Sequence, residues 1–364
     1  MTWLWAIVLA AALWAAHWGA ERLSRPLKKL RRQWGFSVAA GGSLIGLAAA
    51  APEIGINASS ALRRVAEIGL GMMLASNIIA IPLVVCTAYL GTRKRDLPDH
   101  GGHPRHRAEN LLEVDPQAVW VQALPYLGIV ALLAALTLPP GWRGVQPLDG
   151  WIMLAAYLVY AAQALLRGRQ DGEEVDWAKK EVLLALAGVG AIAAGTYLAV
   201  RATEQLAAAW GLSRIAAGMF VTAPVAALPE LFATWKVVRS GQVTSGVTSV
   251  IGDHAVTLTV ALLPLALVTV PVENFRLLWV NLTFVALMPA LYAALIYVGR
   301  GGDRDGYGFR RWQALLFPVA LAAWLLLVVF WVPGVFSGKQ GDQSPSANEN
   351  RPASQTPGTH QKSP

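Results

Sequence analysis

Two carboxylates stand out because of what surrounds them. Glu53 follows Pro52 inside GLAAAAPEIGINASS, residues 46–60, and Glu230 follows Pro229 inside FVTAPVAALPELFATW, residues 220–235. Both stretches are otherwise almost wholly small and apolar. Each Pro-Glu pair is followed by a second polar interruption of an apolar run, Ser76-Asn77 after the first and Asp253-His254 after the second. From Pro52 to Asn77 is 25 positions, and from Pro229 to His254 is also 25. A charged side chain in the middle of a bilayer span costs at least about 2.5 kcal/mol, so two acids at matched positions demand a use. Proline removes an amide donor and crowds the preceding turn, so Pro52 and Pro229 are expected to break their helices and free backbone carbonyls. In hydrocarbon those carbonyls need a partner. A cation is one, since hard ions such as calcium take six to eight oxygens from carboxylates, carbonyls, amides and water. The chemistry expected is cation binding, with Glu53, Glu230, Asn77, Ser76 and Asp253 as ligands. His254, beside Asp253, can carry a proton or add a nitrogen ligand.

The elements that must position these residues are membrane helices. Of 364 residues, 55% are hydrophobic and 14% charged, and the mean hydropathy is +0.45, which excludes an ordinary soluble domain. A span needs about 20 mostly apolar residues. Ten runs qualify, over roughly residues 2–20, 36–61, 67–91, 117–138, 149–166, 181–202, 212–235, 244–270, 275–299 and 312–334. The net charge of +8 is explained by loops, because 21 of the 30 lysines and arginines lie in those that follow spans 1, 3, 5, 7 and 9. The positive-inside rule puts these loops in the cytoplasm and both termini outside, and leaves no basic face for nucleic acid. The first span lacks a charged n-region and is read as retained rather than as a cleaved signal peptide. Cys86, the single cysteine, cannot form an intrachain disulfide.

By the same topology the segment holding Glu53 runs outward and the one holding Glu230 runs inward. Trp34-Gly35 and Ser37 before the first Pro-Glu segment are echoed by Trp210-Gly211 and Ser213 before the second. The expected fold is an all-α polytopic membrane protein of ten transmembrane helices in two inverted-topology repeats of five. Residues 1–166 form the first repeat, 167–180 a cytoplasmic linker, 181–334 the second repeat and 335–364 a disordered tail rich in Pro and Ser. Inverted repeats with helices interrupted by Pro or Gly point to a secondary transporter whose site lies near the midplane. Asn57, Thr234 and Thr257, one turn from an acid or the histidine, either line the ion path or bond to backbone. His17 and Gln163 are read as helix-packing groups, and His100, His103 and His106 as members of a solvated loop.

At these residues the chain resembles the cation/calcium exchanger superfamily, the sodium/calcium and calcium/proton antiporters. Each repeat of that family looks like G-T-S-x-P-E, followed some 20 residues later by G-S-N-I-x-N or G-S-N-I-x-D. Pro52-Glu53, Ser76-Asn77-Ile78, Pro229-Glu230 and Gly252 match. The resemblance spans roughly 35–90 and 211–270, and extends loosely to residue 334. It implies that Glu53 and Glu230 are the central cation ligands and that Ser76 lies by the site. Where the family has Thr-Ser, however, this chain has Ala49-Ala50 and Ala226-Ala227; its late Asn or Asp falls on Ala80 and Thr257; and Asp253-His254 replaces the second Ser-Asn.

A site without four hydroxyls and with an added Asp-His pair suits exchange of a divalent cation, calcium, for protons better than binding of several sodium ions. The expected function is a non-enzymatic cation antiporter working by alternating access, with no cofactor beyond its transported ions. Its partners are membrane lipid and those cations, and its place is a prokaryotic plasma (inner) membrane. Sodium/calcium exchange at a modified site is the alternative within the class. Outside it stand a transport-inactive sensor and an intramembrane metal-dependent hydrolase, the latter lacking an H-E-x-x-H motif.

Overall fold

A computed structural model describes residues 2–34, 46–93, 110–117, 119–139, 143–166, 172–298 and 307–336. The apolar runs form helices: α1 Thr2–Gln33, α2 Ala51–Leu62, α3 Ala66–Arg93, α4 Leu124–Thr137, α5 Pro147–Leu166, α6 Lys179–Trp210, α7 Arg214–Ala217, α8 Ala223–Arg239, α9 Val243–Thr259, α10 Leu263–Leu267, α11 Phe275–Val298 and α12 Arg311–Trp331. Single π-helical segments, Val119–Ala123 and Gly218–Thr222, lead into α4 and α8. Counting α7 to α8 and α9 to α10 as one crossing each, eight helices among the described residues are long and apolar enough to cross a membrane. Pro147–Ala162 is a shorter apolar helix, and α2, of 12 residues, follows residues 35–45, which lie outside the described set. The histidines at 100, 103 and 106, the tail from 337 on and the Gln163 side chain also lie outside it.

Two details depart from the sequence expectation. The basic stretch after the first span continues α1 without a break to Gln33, through Pro26. Four short strands pair off as well: β1 Leu111–Glu113 with β4 Gly308–Arg310, and β2 Gly144–Val145 with β3 Val270–Pro271, both antiparallel. Because β1 precedes α4 and β2 follows it, the two ribbons tie the first half of the chain to the second at opposite ends of the bundle.

The layers follow from side-chain size. α1 packs along α6, and their backbones touch where both carry glycine. A Cβ on Gly19 would stand 2.3 Å from the Gly188 carbonyl oxygen, and one on Gly188 would stand 2.7 Å from that of Gly19. Small residues permit such an approach between membrane helices. At the centre runs α3, apolar on every side and buried nearly throughout, in contact with α2, α7, α8, α9, α11 and α12. A helix that is hydrophobic all round belongs in the interior.

The repeat is visible in the backbone itself. An offset of 177 residues carries Pro52 onto Pro229, and it carries the α2–α3 turn onto the α8–α9 turn. In the first turn Val65 N donates to Ser60 O at 2.9 Å; in the second, Gln242 N donates to the equivalent Val237 O at 3.3 Å. The equivalent residues Arg64 and Gly241 both hold left-handed backbones, φ 58° and 92°, the usual way to close a helix end.

Candidate cation site

Glu53, Glu230 and Asp253 each bring a carboxylate oxygen to one place, all within 4.8 Å of one another. Three helices supply them. A helical turn from Gly46 ends at Ala50, and α2 then begins with Pro52 in its first turn and Glu53 beside it. Proline is suited to that position because its missing N–H would be unpaired there anyway. Pro52 therefore starts a helix at a break. Pro229 differs from expectation, since it lies inside α8 without interrupting it; the irregularity falls earlier, in the π-helical Gly218–Thr222. Its missing N–H still withdraws the helical donor from the Val225 carbonyl. Asp253 comes from the middle of α9, which ends before Pro264 and restarts as α10.

Glu53 and Asp253 are buried, at 7% and 8% exposure, and Glu230 is half-buried. One oxygen of each of the three carboxylates is out of water with no hydrogen-bond partner. Three carboxylates meeting in a low-dielectric interior repel one another if ionised, and need a cation or protons between them. Asp253, Glu230 and Glu53 can offer at least three oxygens to a hard cation, leaving further positions to carbonyls and water.

The remaining expected ligands sit differently. Ser76 Oγ donates to Met73 O at 3.1 Å, and Asn77 Nδ2 donates to the same carbonyl at 2.7 Å. Asn77 Oδ1 accepts from the Tyr126 hydroxyl at 2.8 Å, so both ends of the amide are occupied. His254 does not join the three carboxylates. Its ring lies 6.0 Å from that of Tyr126, and neither imidazole nitrogen has a partner. Neighbouring helical residues point about 100° apart, which lets Asp253 face the cluster only if His254 turns aside. Tyr126, fully buried on α4, thus stands between Asn77 and His254, the equivalent positions of the two repeats. Sequence reading missed it, and its one signal was a lone hydroxyl in the otherwise apolar LPYLGIVALLAAL.

The one-turn neighbours mostly bond to backbone. Thr257 Oγ1 donates to Asp253 O at 3.1 Å, Thr234 Oγ1 to Gly246 O at 3.5 Å and Asn57 Nδ2 to Ala261 O at 2.7 Å. His17 meets Glu21 at 3.7 Å on α1, away from the acids in sequence and in helix. Ala50 is enclosed by apolar neighbours, clustering with Tyr157 and Val256, and Ala227 is buried as well. Of the four positions that resemblance would give to hydroxyls, Ala50 and Ala227 therefore belong to packing, whereas Ala49 is exposed and Ala226 half-buried.

Comparison with known proteins bears on this arrangement. The family model described as sodium/calcium exchanger protein matches residues 3–166 and 180–332. The chain belongs to the sodium/calcium exchanger family. Solved structures of the sodium-calcium exchanger NCX_Mj share its fold. One, soaked with 10 mM Na+ and zero Ca2+, has a TM-score of 0.57 at 20% identity, covering 91% of this chain and 99% of that one. Another, soaked with 10 mM Na+ and 10 mM Sr2+, has a TM-score of 0.58 at 20% identity, covering 90% and 99%. No curated protein sequence matches the chain. Membership makes this exchanger a multi-pass membrane protein of two repeats and a cation antiporter.

Proposed function

We propose that this exchanger moves a divalent cation, calcium, against protons, by alternating access at Glu53, Glu230 and Asp253. The observation that carries the reading is the meeting of three carboxylates within 4.8 Å, each with one oxygen out of water and without a hydrogen-bond partner. A divalent ion balances two negative charges, and one proton balances the third. When the ion leaves, protons can occupy the same oxygens, because bare carboxylates in contact are strongly disfavoured. The alanines at 49, 50, 226 and 227 support the proton version by supplying no hydroxyls for sodium. We read residues 1–166 and 181–334 as the two inverted halves and 167–180 as their cytoplasmic linker. This is supported by the matching turns after α2 and α8. The ten apolar runs support ten spans, the distribution of basic loops supports termini outside, and we read the location as a prokaryotic inner membrane.

Family membership favours one second reading, sodium/calcium exchange at the same acids. Purified protein in liposomes separates the two. With a pH gradient and no sodium, calcium uptake is expected to follow the gradient and to collapse when a protonophore is added. Uptake that requires sodium and ignores the pH gradient would overturn the proton version and leave the sodium one.

A further inference from the structure

α2 carries oxygens that the three acids do not use. Asn57 and Ser60 follow Glu53 by one and two turns on one helix face, about 6 and 10 Å along the axis at about 1.5 Å per residue. Both are fully buried. The Asn57 amide nitrogen is spent on Ala261 O and on a 3.7 Å approach to Met73 Sδ, yet Asn57 Oδ1 and Ser60 Oγ have no partner. Asn57 Oδ1 and the Ser60 Cβ lie against the bare Cα of Gly69 in α3. A Cβ there would lie 2.9 Å from Asn57 Oδ1, 3.1 Å from Ser60 Cβ and 3.0 Å from Leu265 Cδ2.

The second repeat is an internal control. The 177-residue offset carries Asn57, Ser60 and Gly69 onto Thr234, Val237 and Gly246. There the notch over the glycine is dry. A Cβ on Gly246 would lie 2.5 Å from Val238 Cγ2 and 3.5 Å from Val237 Cγ1, and the Thr234 hydroxyl is turned to a carbonyl. Valine thus fills this notch where packing alone is at stake. The first repeat instead keeps two buried oxygens unsatisfied, which is costly unless something arrives to bind them.

We propose that Asn57 Oδ1 and Ser60 Oγ, three residues apart on α2, form a second, transient site for the transported cation, between the carboxylate cluster and the membrane face that carries Arg63. The inference rests on the cation-exchanger reading above. A carbonyl and a hydroxyl oxygen are hard donors suited to calcium, and the amide N–H groups that would attract an anion point elsewhere. The nearest cation along α2 is held aside: Arg63 Nε donates to Glu204 Oε2 at 2.8 Å and Arg63 Nη1 to the Tyr197 hydroxyl at 2.7 Å. The transported ion would meet a paired arginine there, then two oxygens, then the acids.

The test is calcium transport by full-length protein in vesicles of each orientation. Ser60→Val copies the dry notch of the other repeat, and Ser60→Ala removes a hydroxyl that bonds to nothing, so neither sacrifices a hydrogen bond. The calcium concentration giving half-maximal flux is expected to rise roughly tenfold for Ser60→Val, the scale of one lost ligand, when calcium is presented at the Arg63 face, and to stay put at the opposite face. Ser60→Ala should show a smaller shift of the same sidedness. A merely structural role would disturb the shared cluster and move both faces together; that result, or no shift at either face, overturns the proposal. Wild-type protein that moves no calcium from either face would instead overturn the exchanger reading beneath it.

Discussion

Glu53 and Glu230 lie 177 positions apart in the chain, yet their carboxylate oxygens come within 4.8 Å, with Asp253 at the same range from both. At that separation two full charges repel by about 3 kcal/mol for an effective dielectric near 20. The relationship sets what each acid is worth with and without its ion.

Replacing either glutamate by the isosteric amide removes charge and keeps shape. Glu53→Gln and Glu230→Gln are each expected to weaken calcium binding about 30- to 150-fold, the effect of losing a charged contact worth about 2–3 kcal/mol, and to abolish flux. In cation-free buffer both should melt at higher temperature than wild type, because repulsion is relieved. Calorimetric titration with calcium and a thermal melt read the two effects, and wild-type affinity in either variant would remove these residues from the site.

Protons and calcium compete for the same oxygens, which fixes the sign of the pH dependence. Acidification favours the protonated carboxylates and expels the cation, so the apparent Kd for calcium should rise as pH falls, by up to about tenfold per pH unit for each carboxylate that must lose a proton. Asp253→Asn leaves one titrating group fewer and should flatten that slope. An unchanged slope in the variant would mean that Asp253 does not share its proton with the ion.

The Tyr126 hydroxyl is the donor to Asn77 Oδ1 at 2.8 Å. Tyr126→Phe keeps the ring against His254 but strands a buried carbonyl, at about 1–3 kcal/mol. Asn77→Ala in that background should cost less than it does alone, since the two residues are coupled. Denaturant unfolding of the four proteins in detergent measures this, and strict additivity would argue against the bond.

Helix packing gives a prediction independent of ions. Gly188→Val forces a side chain into the Gly19 carbonyl across the α1–α6 contact, and should destabilise by about 1–3 kcal/mol or more. Gly190 has nothing within 4 Å of a Cβ, so Gly190→Ala should be neutral or stabilise by up to about 1 kcal/mol through helix propensity alone. Equal melting temperatures for the two variants would contradict the contact.

Much of the membrane architecture is legible in the chain because its causes are local. Hydropathy sets where helices run, loop charge suggests which way they point, and a constant offset between Pro52-Glu53 and Pro229-Glu230 marks the duplication. What a proline does to its helix was only half legible. Pro52 and Pro229 read alike in sequence, but Pro52 opens α2 after a break at Ala50, whereas Pro229 sits within α8; the outcome depends on how neighbouring turns take up the strain.

The sequence by itself determined that acids lie within apolar runs at matched positions of two repeats, since apolar length and spacing need no partner to be read. Only the tertiary structure decided which polar groups meet. On α9 the choice between Asp253 and His254 is a matter of rotation by one residue, about 100°, and packing sends the aspartate to the glutamates and the histidine toward Tyr126. On α3 the amide of Asn77 is claimed by Met73 O and by a tyrosine from another helix. Such contacts join residues far apart in the chain, whose side-chain directions are fixed by how the helices cross.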